Sequence, residues 1–262
     1  MMGEATPAVN PIYLTGSLSD WHLAELSSMG YRGLELTPAC IPTVDVWQPK
    51  VAELGMRPMC VNALPQLTPY LAGSLSDAVE WRRQDTVRRL IGVLNWMDGR
   101  GIPFMVVGPS RLAENYQSKE EASSLLVSSV RELASAGRAQ ILLESMPFRL
   151  FGSSKDILGI VREVDRPNVG AALDVGHVLI WGESPAEAAK TLGDRLRYVQ
   201  IRDVDLRPGF ARLDAHLPLG QGSARVEDIR AAVGELPWSL VVTAPGDPLG
   251  AAQSALRWLE RG

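Results

Sequence analysis

The chain has 262 residues, of which 46% are hydrophobic and 21% are charged, and its net charge is −4. This composition is ordinary for a globular protein, and no apolar run approaches the ~18 residues that span a membrane. The negative charge weakens any nucleic-acid hypothesis, because nucleic-acid binding relies on a basic face that neutralises phosphates.

Eight strand-like runs alternate with helix-like segments along the chain. We predict strands at about 11–15, 31–37, 56–62, 103–108, 139–145, 169–174, 196–202 and 238–243. Helical periodicity is clearest over residues 76–99, 118–137 and 226–236. The alternation predicts a parallel sheet, and the count favours closure into a (β/α)8 TIM barrel over an open doubly wound sheet. No linker or repeat divides the chain, so we predict one domain over residues 1–262.

Three polar side chains stand at the ends of predicted strands five, six and seven. Glu144 follows Ile-Leu-Leu, Asp174 follows Ala-Leu, and Gln200 follows Tyr-Val. The separations of roughly 30 and 26 residues match one strand, its helix and the next strand. Because βα loops open at the carboxyl ends of barrel strands, this spacing predicts one shared site.

Five segments in chain order resemble the motifs of the xylose isomerase-like barrels. They are Gly30-Tyr-Arg-Gly-Leu-Glu35-Leu, Leu143-Glu144, Leu173-Asp174-Val-Gly-His177, Val199-Gln200-Ile-Arg-Asp203 and Leu217-Pro-Leu-Gly220-Gln-Gly222. That superfamily includes sugar isomerases and epimerases, inosose and 3-dehydroshikimate dehydratases, and apurinic-site endonucleases. The resemblance implies the barrel fold and an enzyme, but it does not select the reaction.

The resemblance also implies a metal site made by Glu144, Asp174 and Gln200. Sugar-acting members use Glu, Asp, His and Glu after strands five to eight, and some dehydratases use Gln at the third position. The fourth ligand is missing here, since neither Val241 nor Thr243 is a carboxylate. The remaining oxygen donors suit Mg2+ or Mn2+, and the lost ligand leaves the occupancy of the site open.

A second constellation keeps Zn2+ open as the cofactor. His177, Asp214 and His216 resemble the residues with which endonuclease-type members hold one zinc ion, and such a set leaves a position for water. The other histidine ligands of those enzymes are absent, because the chain contains only one further histidine, His22. A zinc-dependent phosphoesterase or endonuclease-like hydrolase is therefore a second alternative function.

We expect an isomerase, an epimerase or a dehydratase (a lyase) that moves a proton next to a carbonyl group. The substrate class is a small polyhydroxylated molecule, namely a sugar, a cyclitol or a dehydroshikimate-like acid. Candidate catalytic residues are Glu144, His177 and His216, since imidazole titrates near neutral pH. The missing strand-eight Glu keeps open a degenerate or metal-free barrel repurposed in a biosynthetic pathway.

Candidate substrate-binding residues follow four of the predicted strands: Glu35, Asn62, Arg149 and Trp181. Residues 204–224 form a long loop between strand seven and its helix, which we expect to act as a lid that brings His216 over the site.

The expected setting is the cytoplasm, because no signal peptide is visible and only Cys40 and Cys60 are present. We expect a small-molecule substrate and neither a nucleic-acid nor a membrane partner, and a homodimer stays open.

Overall fold

Eight parallel strands close into a barrel in the order β1-β2-β3-β4-β5-β6-β7-β8. The computed structural model describes residues 6–10, 20–64, 73–109, 118–147, 150–207, 214–244 and 246–261. The strands are β1 Pro7–Val9, β2 Gly33–Leu36, β3 Arg57–Asn62, β4 Phe104–Val107, β5 Gln140–Glu144, β6 Val169–Asp174, β7 Leu196–Ile201 and β8 Trp238–Leu240. The predicted (β/α)8 TIM barrel is confirmed.

Helices connect the strands on the outside of the barrel. They are α1 Asp20–Met29, α2 Val44–Glu53, α3 Glu80–Asp98, α4 Lys119–Ala136, α5 Ser154–Val164, α6 Val175–Trp181, α7 Pro185–Leu192, α8 Val226–Val233 and α9 Pro248–Arg261. Ser118 and Ser153 cap α4 and α5 by accepting hydrogen bonds from backbone N–H groups. No helix in the described ranges is long and apolar enough to cross a membrane.

The first strand lies earlier than the sequence predicted. The barrel uses Pro7–Val9 as β1, paired with β2 on one side and β8 on the other. The predicted strand at about 11–15 falls outside the described residues. The predicted range contains the apolar run Ile12-Tyr-Leu14, whereas the three residues of β1, which begin with a proline, carry too short a pattern to indicate a strand.

The strand register sets the level of the polar residues. Asp174 on β6 lies opposite Gln200 on β7, which lies opposite Ser239 on β8. Glu144 on β5 lies opposite Ala172 on β6. The carboxyl ends of β5, β6 and β7 therefore meet at one mouth of the barrel, while apolar side chains fill the layer between the strands and the outer helices.

Candidate active site

Glu144, Asp174 and His177 converge at the barrel mouth. Glu144 and Asp174 are the last residues of β5 and β6, and all three are at most 3% exposed. The Asp174 carboxylate caps α6 by accepting a hydrogen bond of 2.8 Å from the backbone N–H of His177. Donor atoms of the three residues lie within 4.8 Å of one another, which makes them a candidate metal-binding group.

The Glu144 and His177 side chains face each other without an aligned hydrogen bond. His177 Nδ1 and Glu144 Oε1 are 2.5 Å apart. Neither oxygen of Glu144 has a hydrogen-bond partner among the described residues, and the same holds for His177 Nδ1. Buried polar atoms are almost always paired, so these unpaired atoms mark a place where a ligand can bind.

Burial and neighbouring charges shift the pKa values of both Glu144 and His177. Burial raises the pKa of Glu144 to about 7, and the nearby His177 offsets part of this effect. Burial disfavours the charged form of His177, but the Asp174 and Glu144 carboxylates outweigh it and raise the pKa of His177 to about 10. At neutral pH these pKa values give a protonated His177 beside a carboxyl group that can both take and give a proton.

Arg202 is a fully buried cation next to this group, and the sequence analysis gave it no role. Its Nε lies 2.9 Å from each oxygen of Asp174, and its Nη2 lies 2.6 Å from Asp214 Oδ1. A Cβ on Gly176 would lie 2.5 Å from Arg202 Cζ, so only glycine leaves room for the guanidinium under α6. Burial raises the pKa of Asp174, but the charges of Arg202 and His177 and the hydrogen bond from Arg202 together outweigh burial and hold this pKa below its usual range.

The loop after β7 places Asp214 and His216 beside the mouth. Asp214 Oδ2 is 3.4 Å from His177 Nε2. His216 Nδ1 lies 2.6 Å from the carbonyl oxygen of Val241, just after β8. Burial and the Arg202 charge lower the pKa of His216 to about 4. The candidate metal-binding group in the described part of the chain includes neither Asp214 nor His216, so the structure does not assemble the zinc set that the sequence suggested.

Asp203 organises the far end of the same loop. Its carboxylate accepts hydrogen bonds from the backbone N–H groups of Gly220, Gly222 and Ala224. A Cβ on Gly222 would lie 2.3 Å from the carbonyl oxygen of Val204. Gly222 is therefore required for a close approach rather than for the hinge freedom that a lid needs. The opposite flank, at Gly209, lies outside the described residues.

Glu35 lies inside the barrel and is the centre of a second polar cluster. Its carboxylate accepts hydrogen bonds from four buried side chains. The donors are Asn10 at 3.1 Å, Asn62 at 3.2 Å, Gln200 at 3.0 and 3.1 Å, and Ser239 at 2.6 Å. Burial raises the pKa of Glu35, and these four donors counteract the rise.

The structure places the predicted substrate-binding residues in different environments. Glu35 and Asn62 are buried in the interior cluster, where Asn62 also accepts a hydrogen bond from the backbone of Leu64. Trp181, at the end of α6, is 43% exposed, and a Cβ on Gly152 would lie 2.4 Å from its ring. Arg149 lies outside the described residues.

Comparison with known proteins gives one family and many similar folds. A family model described as a xylose isomerase-like TIM barrel matches residues 23–262. A D-psicose 3-epimerase from Clostridium cellulolyticum H10, crystallised with D-tagatose, is 16% identical, with a TM-score of 0.76 over 97% of this chain and 98% of that chain. The IOLI protein with a bound zinc atom is 20% identical, with a TM-score of 0.77 over 98% of this chain and 95% of that one.

A third similar structure is a fusion of a xylose isomerase-like TIM barrel with a 4-hydroxyphenylpyruvate dioxygenase. It is 20% identical and has a TM-score of 0.80, and the match covers 98% of this chain but 42% of the fusion protein. The search of curated proteins gave no match. At these identities the likeness establishes the fold alone, because proteins of one fold catalyse different reactions.

Proposed function

This chain belongs to the xylose isomerase-like TIM barrel family, and from that premise we propose that it is an isomerase or a lyase. The reaction is proton transfer at the carbon next to a carbonyl group, on a small polyhydroxylated substrate. The observation that carries the proposal is the buried group formed by Glu144, Asp174 and His177 at the mouth of the barrel.

His177 and Glu144 are suited to proton transfer at the carbonyl oxygen of the substrate. A protonated His177 between two carboxylates can hold a proton beside a substrate oxygen as negative charge develops there. The pKa of Glu144, raised to about 7 by burial, lets this carboxyl group exchange a proton at neutral pH. The pair therefore keeps a proton available at the place where a carbonyl oxygen would become a hydroxyl group.

His216 is suited to remove the proton from the carbon next to the carbonyl group. A carbonyl oxygen only accepts hydrogen bonds, so the contact with Val241 requires the proton of a neutral His216 to sit on Nδ1, which leaves the lone pair on Nε2. Because burial and Arg202 lower the pKa of His216, the ring is neutral near pH 7 and can act as a base. The contact with Val241, just after β8, supports this role, because the family pattern has a Glu at the end of the same strand.

The donor set fits a divalent cation. Glu144 offers two buried carboxylate oxygens and Gln200 one buried amide oxygen, none of them with a hydrogen-bond partner among the described residues. Asp174 Oδ2 accepts one hydrogen bond, from Arg202, and keeps a lone pair. These three residues would hold the ion, and oxygen donors favour Mg2+ or Mn2+. When bound, such an ion would polarise the carbonyl and neighbouring hydroxyl groups of the substrate.

The substrate class follows from the same features. Structurally similar proteins include sugar 3-epimerases, which supports a sugar or a related polyol as substrate. A two-carboxylate epimerase needs a carboxylate base on each face of the carbon, and neither Val241 nor Thr243, the two candidate positions directly after β8, is a carboxylate. A one-base isomerase or a dehydratase therefore fits better. Trp181 and Arg149 are the substrate contacts we propose outside the buried cluster.

A product screen tests this function directly. Purified protein supplied with Mn2+ or Mg2+ is incubated in D2O with ketoses, inososes and 3-dehydroshikimate, and the products are followed by NMR. We expect deuterium at the carbon next to the carbonyl in an isomerised or dehydrated product. His216→Ala should lower turnover far more than it weakens substrate binding. Absence of exchange into every member of the panel would contradict the proposal.

Arg202 favours a second candidate, a barrel that does the same proton transfer without a metal. Its guanidinium already binds both oxygens of Asp174 and supplies positive charge at the mouth. Chelator treatment separates the two candidates. Loss of activity that Mn2+ restores supports the metal-assisted enzyme, whereas unchanged activity in the metal-stripped protein supports the metal-free one.

A further inference from the structure

The amide of Gln200 has its two ends in different surroundings. Nε2 donates to both oxygens of Glu35, at 3.0 and 3.1 Å. Oε1 is buried and has no hydrogen-bond partner among the described residues. Leaving a buried acceptor without a hydrogen bond is destabilising, so its retention at the level of Asp174 calls for an explanation.

Glu35 decides which way this amide faces. A carboxylate accepts hydrogen bonds and an ionised one cannot donate, so it selects the NH2 end of Gln200 and repels the oxygen. The other donors hold the Glu35 side chain in place from three directions: Asn62 lies on β3, Ser239 lies on β8, and Asn10 directly follows β1. Because both amide atoms stand on one carbon, an Nε2 held on Glu35 turns Oε1 away from Glu35.

We propose that Glu35 is a positioning residue, which orients the Gln200 amide so that Oε1 serves as a ligand for a divalent cation beside Glu144 and Asp174. This inference rests on the metal-assisted form of the proposed function. It gives a fully buried acidic residue inside the barrel a role at the mouth, although Glu35 itself touches neither the ion nor the substrate.

The experiment measures Mn2+ binding by the metal-stripped full chain, with free Mn2+ followed by EPR and no substrate present. Glu35→Gln presents an amide to the Gln200 amide, which allows Gln200 to turn its NH2 group toward the site. We expect Mn2+ affinity to fall at least about tenfold, as for other residues that orient metal ligands. The inverted pair Glu35→Gln with Gln200→Glu restores one donor facing one acceptor and should recover most of the affinity.

Ser239→Ala is the matched control. It removes the hydrogen bond of 2.6 Å to the same carboxylate but leaves the contact between Glu35 and Gln200 in place. We expect its Mn2+ affinity to stay within about twofold of wild type, since the amide orientation is unchanged. If Ser239→Ala weakens Mn2+ binding as much as Glu35→Gln does, Glu35 acts only as packing and the inference is wrong.

A crystal structure of the wild-type protein soaked with Mn2+ decides the matter if Glu35→Gln does not fold. Gln200 should bind the ion through Oε1 while Nε2 stays on Glu35. An ion bound without Gln200, or no Mn2+ binding by wild type at all, overturns the inference. The proposed reaction fails separately, because a protein that binds Mn2+ through Gln200 but exchanges no substrate proton would keep the positioning role and lose the enzyme.

Discussion

Glu35 and Glu144 are two fully buried glutamates in the same barrel, and their surroundings differ completely. Glu35 accepts hydrogen bonds from four side chains, whereas neither oxygen of Glu144 has an aligned partner among the described residues. Burial alone therefore does not identify a functional carboxylate. The Glu35 carboxylate, which accepts aligned hydrogen bonds from four side chains, supports the structure around it, whereas the Glu144 carboxylate, which faces the His177 ring at 2.5 Å without an aligned hydrogen bond, is available for a ligand or a proton.

Asp174 both stabilises the structure around it and belongs to the candidate metal-binding group, and its removal should have the largest effect on stability. It caps α6 and binds the buried Arg202, so Asp174→Ala removes the cap and leaves the fully buried guanidinium with the half-exposed Asp214 as its remaining carboxylate partner among the described residues. We expect the free energy of unfolding to fall by about 4 kcal/mol in urea titrations. Glu53→Ala, which breaks an exposed ion pair with Lys50, should cost less than about 0.5 kcal/mol. Equal stabilities for the two variants would refute the structural role of Asp174.

The two glutamates should respond differently when each is replaced by glutamine. Glu35→Gln turns one acceptor into a donor among four donors and should lower the free energy of unfolding by about 3 kcal/mol. Glu144→Gln removes a carboxylate that burial already disfavours and should change it by less than about 1 kcal/mol. Both values come from denaturant curves at pH 7, and a reversed order would show that the hydrogen-bond environments do not govern these two sites.

His216 should make the fold sensitive to acid. Burial and Arg202 lower its pKa from 6.5 to about 4, so the folded protein resists a proton that the unfolded chain accepts. Stability is complete above the unfolded pKa and is lost as the pH falls from 6.5 toward 4, by about 2 kcal/mol at pH 5. His216→Asn should lack this component, which the difference between its unfolding curves and those of wild type at pH 7 and pH 5 measures.

Ser239→Ala should cost less stability than Asp174→Ala or Glu35→Gln. It removes one of the four donors to Glu35 and should cost about 1.5 kcal/mol in a thermal or urea melt. Activity should stay near that of wild type, because Ser239 lies in the paired cluster and not at the mouth. A loss of activity with unchanged stability would mean that the interior cluster itself takes part in the reaction.

The sequence allowed the barrel and the strand-end residues to be predicted because both follow from local patterns. Apolar runs of strand length alternate with helical ones, and Glu144, Asp174 and Gln200 close three successive runs. The first strand was missed since three residues carry too little pattern. The fold also brings His177 to Glu144 through the α6 cap, in which the Asp174 carboxylate accepts from the backbone N–H of His177.

Arg202 and the loop could not be placed in this way, because their contacts are long-range. Alternation along β7 puts Arg202 on the same side as Gln200, and this signal could have predicted an inward-facing charge. Its partners, Asp174 and Asp214, depend on the closed barrel and on the path of the loop. Asp203 likewise binds backbone groups about twenty residues later, which no local pattern reveals.

Proton transfer should depend on the Glu144 carboxylate, and solvent deuterium exchange by wild type and Glu144→Gln tests this dependence, using a substrate that the product screen identifies. We expect Glu144→Gln to keep its fold, as judged by circular dichroism and melting, and to lose at least about a hundredfold in the exchange rate. An exchange rate equal to that of wild type would show that proton transfer does not depend on this carboxylate at the barrel mouth.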